Sequence, residues 1–198
     1  MCYVPSSGAG AGARSVWKYL RGGRNDLIEL LELKDKVLEI FQTDIEHLGD
    51  SLLSAVIENR TELYDQFCDI VENDLSVDWL QKIFQYYHAD RKEKMQDYTP
   101  KSLADFMGLL IGDSEIVVDM CAGSGALTIQ RWVRNPDQKF RLLELDKKVI
   151  PYLLFNLAVR NIDASVCRAD VLCDEKYEQW RISKGEKYGH ITYFKPAL

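Results

Sequence analysis

Hydrophobic residues in the first part of the chain recur at the spacing of an α-helix. The positions that repeat at three- and four-residue steps are Leu27, Leu30, Leu31, Val37, Leu38, Phe41, Ile45 and Leu48. An apolar face of this kind predicts amphipathic helices. Further helices are predicted over residues 51–59, from Thr61 onward, and after Ser76, which we expect to act as a capping residue. The pattern therefore predicts a helical region over residues 26–93, preceded by a flexible Gly-, Ala- and Ser-rich tail over residues 1–25.

The rest of the chain alternates short apolar runs with helical segments. Strands are predicted over residues 116–120, 139–143, 164–168 and 189–194. Helices are predicted over residues 101–110, 126–133 and 147–160, with a short helix in the polar stretch 174–187. In the first of these helices, we expect Leu103, Phe106, Met107 and Leu110 to form the buried side. Strands that alternate with helices predict an α/β fold with a parallel sheet and right-handed crossovers.

A glycine-rich turn follows the first predicted strand. Gly123, Ser124 and Gly125 separate the strand, which ends near Asp119, from a helix that begins near Ala126. Glycine permits a positive φ and lets a ligand approach the backbone, and the start of a helix offers unpaired N–H groups. Adenosine-containing cofactors bind at such turns in α/β domains. On this stretch alone, an ordinary tight strand-to-helix connection is the other interpretation.

Three further motifs surround this turn. Glu144 ends the second predicted strand, about twenty residues after the glycines, where an acid can hold ribose hydroxyls. Asp170 ends the third strand, and the segment Tyr98-Thr99-Pro100 lies upstream of the first strand.

These motifs, in this order and spacing, resemble those of the DNA adenine methyltransferases, most closely the modification subunits of type I restriction–modification systems. The resemblance covers residues 94–172 and implies a Rossmann-like fold that binds S-adenosylmethionine and methylates the exocyclic amine of adenine in DNA. It implies cofactor-binding roles for Tyr98, Thr99, Pro100, Asp119, Cys121, Ala122, Gly123, Ser124, Gly125, Glu144, Leu145, Asp170 and Val171. Met120 stands where the family usually has proline. In the family, a helical region also precedes the cofactor domain.

The catalytic motif of the resembled family is missing. That motif, Asn/Asp/Ser-Pro-Pro-aromatic, follows the fourth strand, whereas here the fourth predicted strand is followed by Lys195 and Pro196 after Phe194. Residues 94–198 are thus expected to form an incomplete methyltransferase domain with strand order 3-2-1-4. The fourth strand would be an apolar edge, and such an edge invites pairing with another chain. We therefore expect a homodimer or a hetero-oligomer through this edge, and weak or no catalysis by this chain alone.

Composition and charge narrow the function further. The chain has 198 residues and a net charge of −6, which gives no support to nucleic-acid binding by this chain alone. Binding to DNA would then need a partner or a separate specificity subunit. The five cysteines have no metal-ligand spacing, and with an odd count we expect reduced thiols, no metal and a cytoplasmic location. No stretch has the length and apolarity of a membrane helix.

Three functions remain open at this point. The first is an S-adenosylmethionine-dependent DNA adenine methyltransferase, or part of one. The second is a non-catalytic binding or interaction module on the same scaffold. A weaker third is a dinucleotide-dependent oxidoreductase, against which the Tyr98-Thr99-Pro100 segment counts because such a fold needs nothing there.

Overall fold

The computed structural model describes residues 24–88, 99, 101–112 and 114–194 of the chain. The helices are α1 (Arg24–Phe41), α2 (Leu48–Ile57), α3 (Thr61–Ile70), α4 (Trp79–Tyr87), α5 (Lys101–Leu110), α6 (Ala126–Arg134) and α7 (Ile150–Val159). The strands are β1 (Ile116–Asp119), β2 (Lys139–Glu144), β3 (Ala164–Asp170), β4 (Glu175–Ser183) and β5 (His190–Phe194). The chain is thus an α/β protein in which helices precede the sheet, as the sequence predicts.

The five strands form one mixed sheet in the order β1-β2-β3-β4-β5. Strands β1, β2 and β3 are parallel, with Val118 opposite Arg141 and Arg141 opposite Ser165. Strand β4 is antiparallel to β3, and β5 is antiparallel to β4. The parallel three-stranded part, with β2 in the middle, is the part of the sheet that was predicted from alternating strands and helices.

The predicted strand order 3-2-1-4 is wrong in its last place. Residues 190–194 do form a strand, but they pair with β4, three strands away from β1. The short helix predicted within residues 174–187 is also wrong, because most of that stretch is β4. Trp180 and Ile182 alternate with polar residues and are buried, which is the period of a half-buried strand. The strand was not predicted because most residues of this stretch are polar or charged.

A short turn explains why β4 returns beside β3 without a crossover. Asp170 Oδ1 accepts hydrogen bonds from the backbone amides of Leu172 (2.9 Å) and Cys173 (3.2 Å). Asp174 adopts a positive φ of 56°. Aspartate commonly closes turns in this way, and a tight reversal of the chain allows only an antiparallel neighbour.

Helix α7 is the centre of the core. All ten of its residues are buried, as expected of a helix that is apolar on every side. One side packs against the sheet, and the other meets the helices of the N-terminal region. The ring of Phe155 makes edge-on contacts with Phe41 (5.5 Å), Tyr64 (5.3 Å) and Phe67 (5.2 Å). The helical region and the sheet therefore share one hydrophobic core.

The side of the molecule next to β1 is apolar and open. No strand among the described residues pairs with the outer edge of β1. Helix α5 packs on α6 through Ala104 and Gly108, and the expectation that its large apolar residues form the buried side is wrong. The large hydrophobic residues exposed here are Leu103, Phe106, Met107, Leu109, Leu110, Ile116, Val118, Met120 and Val133. Exposed apolar surface often marks a contact site for another molecule.

Among the described residues, no helix combines the length and the apolar composition that crossing a membrane requires.

Candidate functional site

A cleft of about 930 Å³ lies at the carboxyl ends of β1, β2 and β3. Its floor is the turn between β1 and α6, and one wall is formed by the loops that follow β2 and β3. Residues of α4 form the opposite wall. In α/β sheets, ligands bind outside the carboxyl ends of the strands, and the volume falls within the range of small-molecule sites.

The glycine turn has the backbone conformation that its sequence predicts. Gly123 and Gly125 have φ values of +56° and +102°, a range that side chains disfavour. A Cβ at Gly123 would meet no atom within 4 Å, whereas a Cβ at Gly125 would lie 3.1 Å from Leu153 Cδ1. Gly123 therefore leaves open space in the cleft, and Gly125 allows the turn to pack closely on α7.

The side chain of Glu144 holds two loops of the cleft together. Its Oε2 accepts a hydrogen bond from the Gly123 amide, and its Oε1 accepts one from the Asp146 amide, both at 2.8 Å. Each carboxylate oxygen can accept a second hydrogen bond. The acid predicted at the tip of the second strand thus points at the glycine turn and still has acceptor capacity for a ligand hydroxyl.

Most of the predicted cofactor residues lie together in this cleft. Those that line it are Thr99, Cys121, Ala122, Gly123, Ser124, Glu144, Leu145, Asp170 and Val171. Asp119, the last residue of β1, and Gly125, in the turn, lie outside the lining. Tyr98 and Pro100 lie outside the described residues. Phe194, expected near the catalytic motif, ends β5 at the far side of the sheet, and Lys195 and Pro196 also lie outside the described residues.

Asp119, Cys121 and Asp170, which were predicted to bind the cofactor, also take part in the hydrogen bonds of the turns that follow β1 and β3. Asp119 Oδ1 accepts a hydrogen bond from the Cys121 amide (3.1 Å), and burial raises the pKa of this carboxyl. Burial also raises the pKa of the Cys121 thiol, with Glu144 and Asp119 adding to the effect. The thiol is therefore protonated at neutral pH and is a weak nucleophile. Asp170 uses one oxygen to close the turn after β3.

A buried polar network beneath the turn was missed from the sequence. Asp78 Oδ2 accepts a hydrogen bond from Ser124 Oγ (2.6 Å), and its Oδ1 accepts hydrogen bonds from Asn156 Nδ2 (2.8 Å) and the Gln81 amide (3.0 Å). Arg160 donates to Asn156 Oδ1 (2.8 Å). Burial raises the pKa of Asp78, although its hydrogen bonds and Arg160 oppose that shift.

The true cap of α4 is Asp78, not Ser76. The signal in the sequence was Asp78 followed three residues later by Gln81, a spacing typical of a capping box at a helix start. Gln81, Phe84 and Gln85 of α4 line the cleft and were also missed. Their signal was a pair of uncharged polar residues, Gln81 and Gln85, one helical turn apart on a helix that is otherwise mainly apolar.

The described residues contain no cluster of histidine, cysteine, aspartate or glutamate that could hold a metal ion. The cysteines in the described ranges are free thiols, namely Cys68, Cys121, Cys167 and Cys173. The chemistry available in the cleft is thus hydrogen bonding by carboxylates and amides next to an open glycine turn, with the ammonium group of Lys147 also in the lining.

No protein-family model, no curated protein and no solved structure matches this chain.

Proposed function

We propose that this chain binds S-adenosylmethionine in the cleft at the glycine turn. The observation that carries the proposal is the contact between Glu144 and the Gly123 amide, which places a carboxylate beside open space at the tips of adjacent parallel strands. A carboxylate there matches the vicinal hydroxyls of a ribose. Three acids, Glu144, Asp146 and Asp170, outnumber the single basic residue of the described lining, Lys147. This excess of negative charge suits a ligand with a positive sulfonium and few anionic groups.

The residues of the cleft fit this cofactor better than they fit a dinucleotide. A pyrophosphate needs several free backbone N–H groups or basic side chains at the turn. Here the Gly123 amide is bound to Glu144, and the Gly125 amide donates to the Ala122 carbonyl (2.9 Å). Two negative phosphates beside Glu144 would be repelled. When bound, S-adenosylmethionine supplies an electrophilic methyl group, and the chain's own part is to hold the nucleoside.

The larger function that we infer is that of a DNA adenine methyltransferase of the type I modification kind, with this chain as the cofactor-binding part. Direct transfer of the methyl group to an extruded adenine needs no protein nucleophile, which agrees with the protonated Cys121 thiol. The net charge of −6 leaves DNA contact to a partner.

A non-catalytic binding module remains the second candidate, and one observation favours it for the isolated chain. The strand that was expected to carry the amine-orienting motif, β5, is separated from β1 by three strands. Phe194, at the end of β5, therefore does not lie beside β1, where the motif was expected.

Calorimetric titration with S-adenosylmethionine, S-adenosylhomocysteine and NAD tests the cofactor. We expect the first two to bind and NAD not to bind. Transfer of labelled methyl groups to unmethylated DNA then separates the two functions, and we expect none from this chain alone. Transfer would show that the chain is a complete enzyme, and tight binding of NAD would overturn the proposal.

Association with another polypeptide was predicted for the edge at residues 189–194, and it stays a prediction. Strand β5 is an edge strand, and its Tyr193 and Phe194 are about half exposed. We propose β1 as the stronger candidate because its outer edge pairs with no described strand and Val118 is 52% exposed. Light scattering would show an oligomer that Val118→Lys dissociates and Thr192→Lys, on β5, does not. The reverse pattern would place the contact at β5.

A further inference from the structure

The carboxylate of Asp78 is buried between the helical region and the glycine turn. Asp78 is 7% exposed, and Asn156, against which it lies, is fully buried. A buried carboxylate is costly unless it is fully hydrogen-bonded. Here one oxygen accepts from Ser124 and the other from Asn156 and Gln81, so both oxygens are satisfied.

Ser124 belongs to the turn, and its side-chain hydroxyl is bound to Asp78. Ser124 is 5% exposed. Its hydroxyl donates to Asp78, and its backbone carbonyl accepts from Asn156 Nδ2 at 2.9 Å. The middle residue of the glycine turn is thus fixed at two points, by α4 through its side chain and by α7 through its carbonyl.

Arg160 completes the network from the other side. It is 3% exposed and donates to the carbonyls of Leu75 (2.8 Å) and Val77 (2.7 Å), in the segment just before α4. Its positive charge lies near Asp78 and offsets the burial of the carboxylate. The start of α4 is therefore held in place relative to α7 by charged hydrogen bonds, which are stronger than neutral ones.

The same helix carries one wall of the cleft. Gln81 and Gln85 line the cleft from α4. On the other side, Gly123 lines it from the turn and Glu144 from the end of β2. The distance between these two walls depends on where α4 packs. Asp78, at the start of α4, links that helix to the turn through its hydrogen bond with Ser124.

We propose that Asp78 is a positioning residue for the cofactor. It fixes the position of the glycine turn relative to α4, so that the turn and the α4 wall form one rigid binding surface. This role rests on the proposed binding of S-adenosylmethionine. The helical region then forms part of the cofactor site, although none of its motifs suggests a cofactor.

The experiment compares three variants of the full chain. Ser124→Ala removes the link on the turn side. Asp78→Ser keeps a hydroxyl that can accept from the Gln81 amide as a helix cap but is too short to hold Ser124. Val56→Ala shortens a buried side chain (1% exposed) of α2 outside this network and serves as the control for a general loss of stability.

Hydrogen exchange of the ligand-free proteins is the first measurement. The amides of Ala122, Gly123 and Gly125 are hydrogen-bonded and report opening of the turn. We expect them to exchange about tenfold faster or more in Asp78→Ser and Ser124→Ala, while the amides of β3 change as little as in the control. Losing one hydrogen bond to a charged group changes an opening equilibrium by about tenfold or more. Equal exchange in all three variants would overturn the positioning role.

Calorimetric titration with S-adenosylmethionine, well below the unfolding temperature, is the second measurement. Asp78→Ser and Ser124→Ala should bind about tenfold more weakly than the wild type, and Val56→Ala should bind as the wild type does. A loosened turn with unchanged affinity would overturn the role in cofactor binding. If the wild-type protein itself fails to bind, the proposed function fails, and the exchange data still decide whether Asp78 positions the turn.

Discussion

Gly123 and Gly125 lie two residues apart in the turn between β1 and α6, yet alanine at Gly125 should cost more stability and alanine at Gly123 should cost more ligand affinity. At Gly123, φ is +56°, within the left-handed region that an alanine can enter, and a Cβ meets nothing within 4 Å. The cost is therefore that of the left-handed conformation alone, about 1 kcal/mol. We expect Gly123→Ala to lower the free energy of unfolding by that amount.

At Gly125 two costs combine. Its backbone is also left-handed, but its φ of +102° lies far from the value near +57° that is usual there. A Cβ would also lie 3.1 Å from Leu153 Cδ1, in a fully buried side chain. Strained backbone of this kind costs about 1–3 kcal/mol, and displacing a packed core side chain adds to that. We expect Gly125→Ala to lower the free energy of unfolding by about 3 kcal/mol.

Ligand binding should show the reverse order. The methyl group of Gly123→Ala enters the open space of the cleft, so affinity for S-adenosylmethionine should fall by about tenfold or more. Gly125 does not line the cleft, and its variant should lose less affinity when measured well below its unfolding temperature. Urea unfolding followed by tryptophan fluorescence gives the stabilities, and calorimetry gives the affinities. Equal losses of stability, or a greater loss of affinity at Gly125, would refute the reasoning.

Three further predictions concern charged and nucleophilic side chains. Glu144→Gln turns an amide group towards one of the two backbone N–H donors, so it should weaken binding of S-adenosylmethionine by about tenfold, as calorimetry would show; unchanged affinity would exclude Glu144 from the site. Iodoacetamide should modify Cys121 more slowly in the presence of saturating S-adenosylmethionine, while the exposed Cys173 reacts at the same rate and serves as the internal control. The hydrogen bond from Lys187 holds the pKa of Asp65 below its ordinary value of 3.8, so this contact stabilises the fold above pH 3.8 and the effect is lost as the pH falls through the lowered pKa. Urea unfolding should therefore show a stability gap between wild type and Asp65→Asn that is constant near neutral pH and closes in acid, and a gap that widens in acid would contradict it.

The parallel part of the fold could be predicted from the sequence because its signals are local. The β-branched run before Asp119, the glycines and the acid at Glu144 each act within a few residues of the chain. They gave β1, β2, β3 and the helices between them, and the structure brings most of the predicted site residues into one cleft.

The outer hairpin could not be predicted in the same way. Trp180 and Ile182 alternate with polar residues, and the high average polarity of the stretch favours a loop or a short surface helix over a strand. Without β4 in the prediction, the strand at residues 190–194 had no predicted partner. It was therefore placed beside β1, where the resembled family has its fourth strand. The resemblance thus supplied a strand order that local signals did not support.

The network around Asp78 depends on contacts between residues far apart in the chain. Asp78 and Asn156 are separated by 78 residues, and nothing local in either segment indicates that they meet. Only the cap of α4 was readable, since Gln81 follows Asp78 at the right spacing. Buried polar contacts of this kind become visible only when the tertiary packing is known.

The aromatic rings around Phe155 should hold the two halves of the chain together even after the backbone is cut. Phe41 and Phe67 come from α1 and α3, and they enclose a ring that belongs to α7. A protease cut between α4 and α5 would therefore yield two fragments that remain associated and elute together until denaturant separates them. Neither fragment alone would hold its shape, because each would expose its half of the aromatic cluster to water.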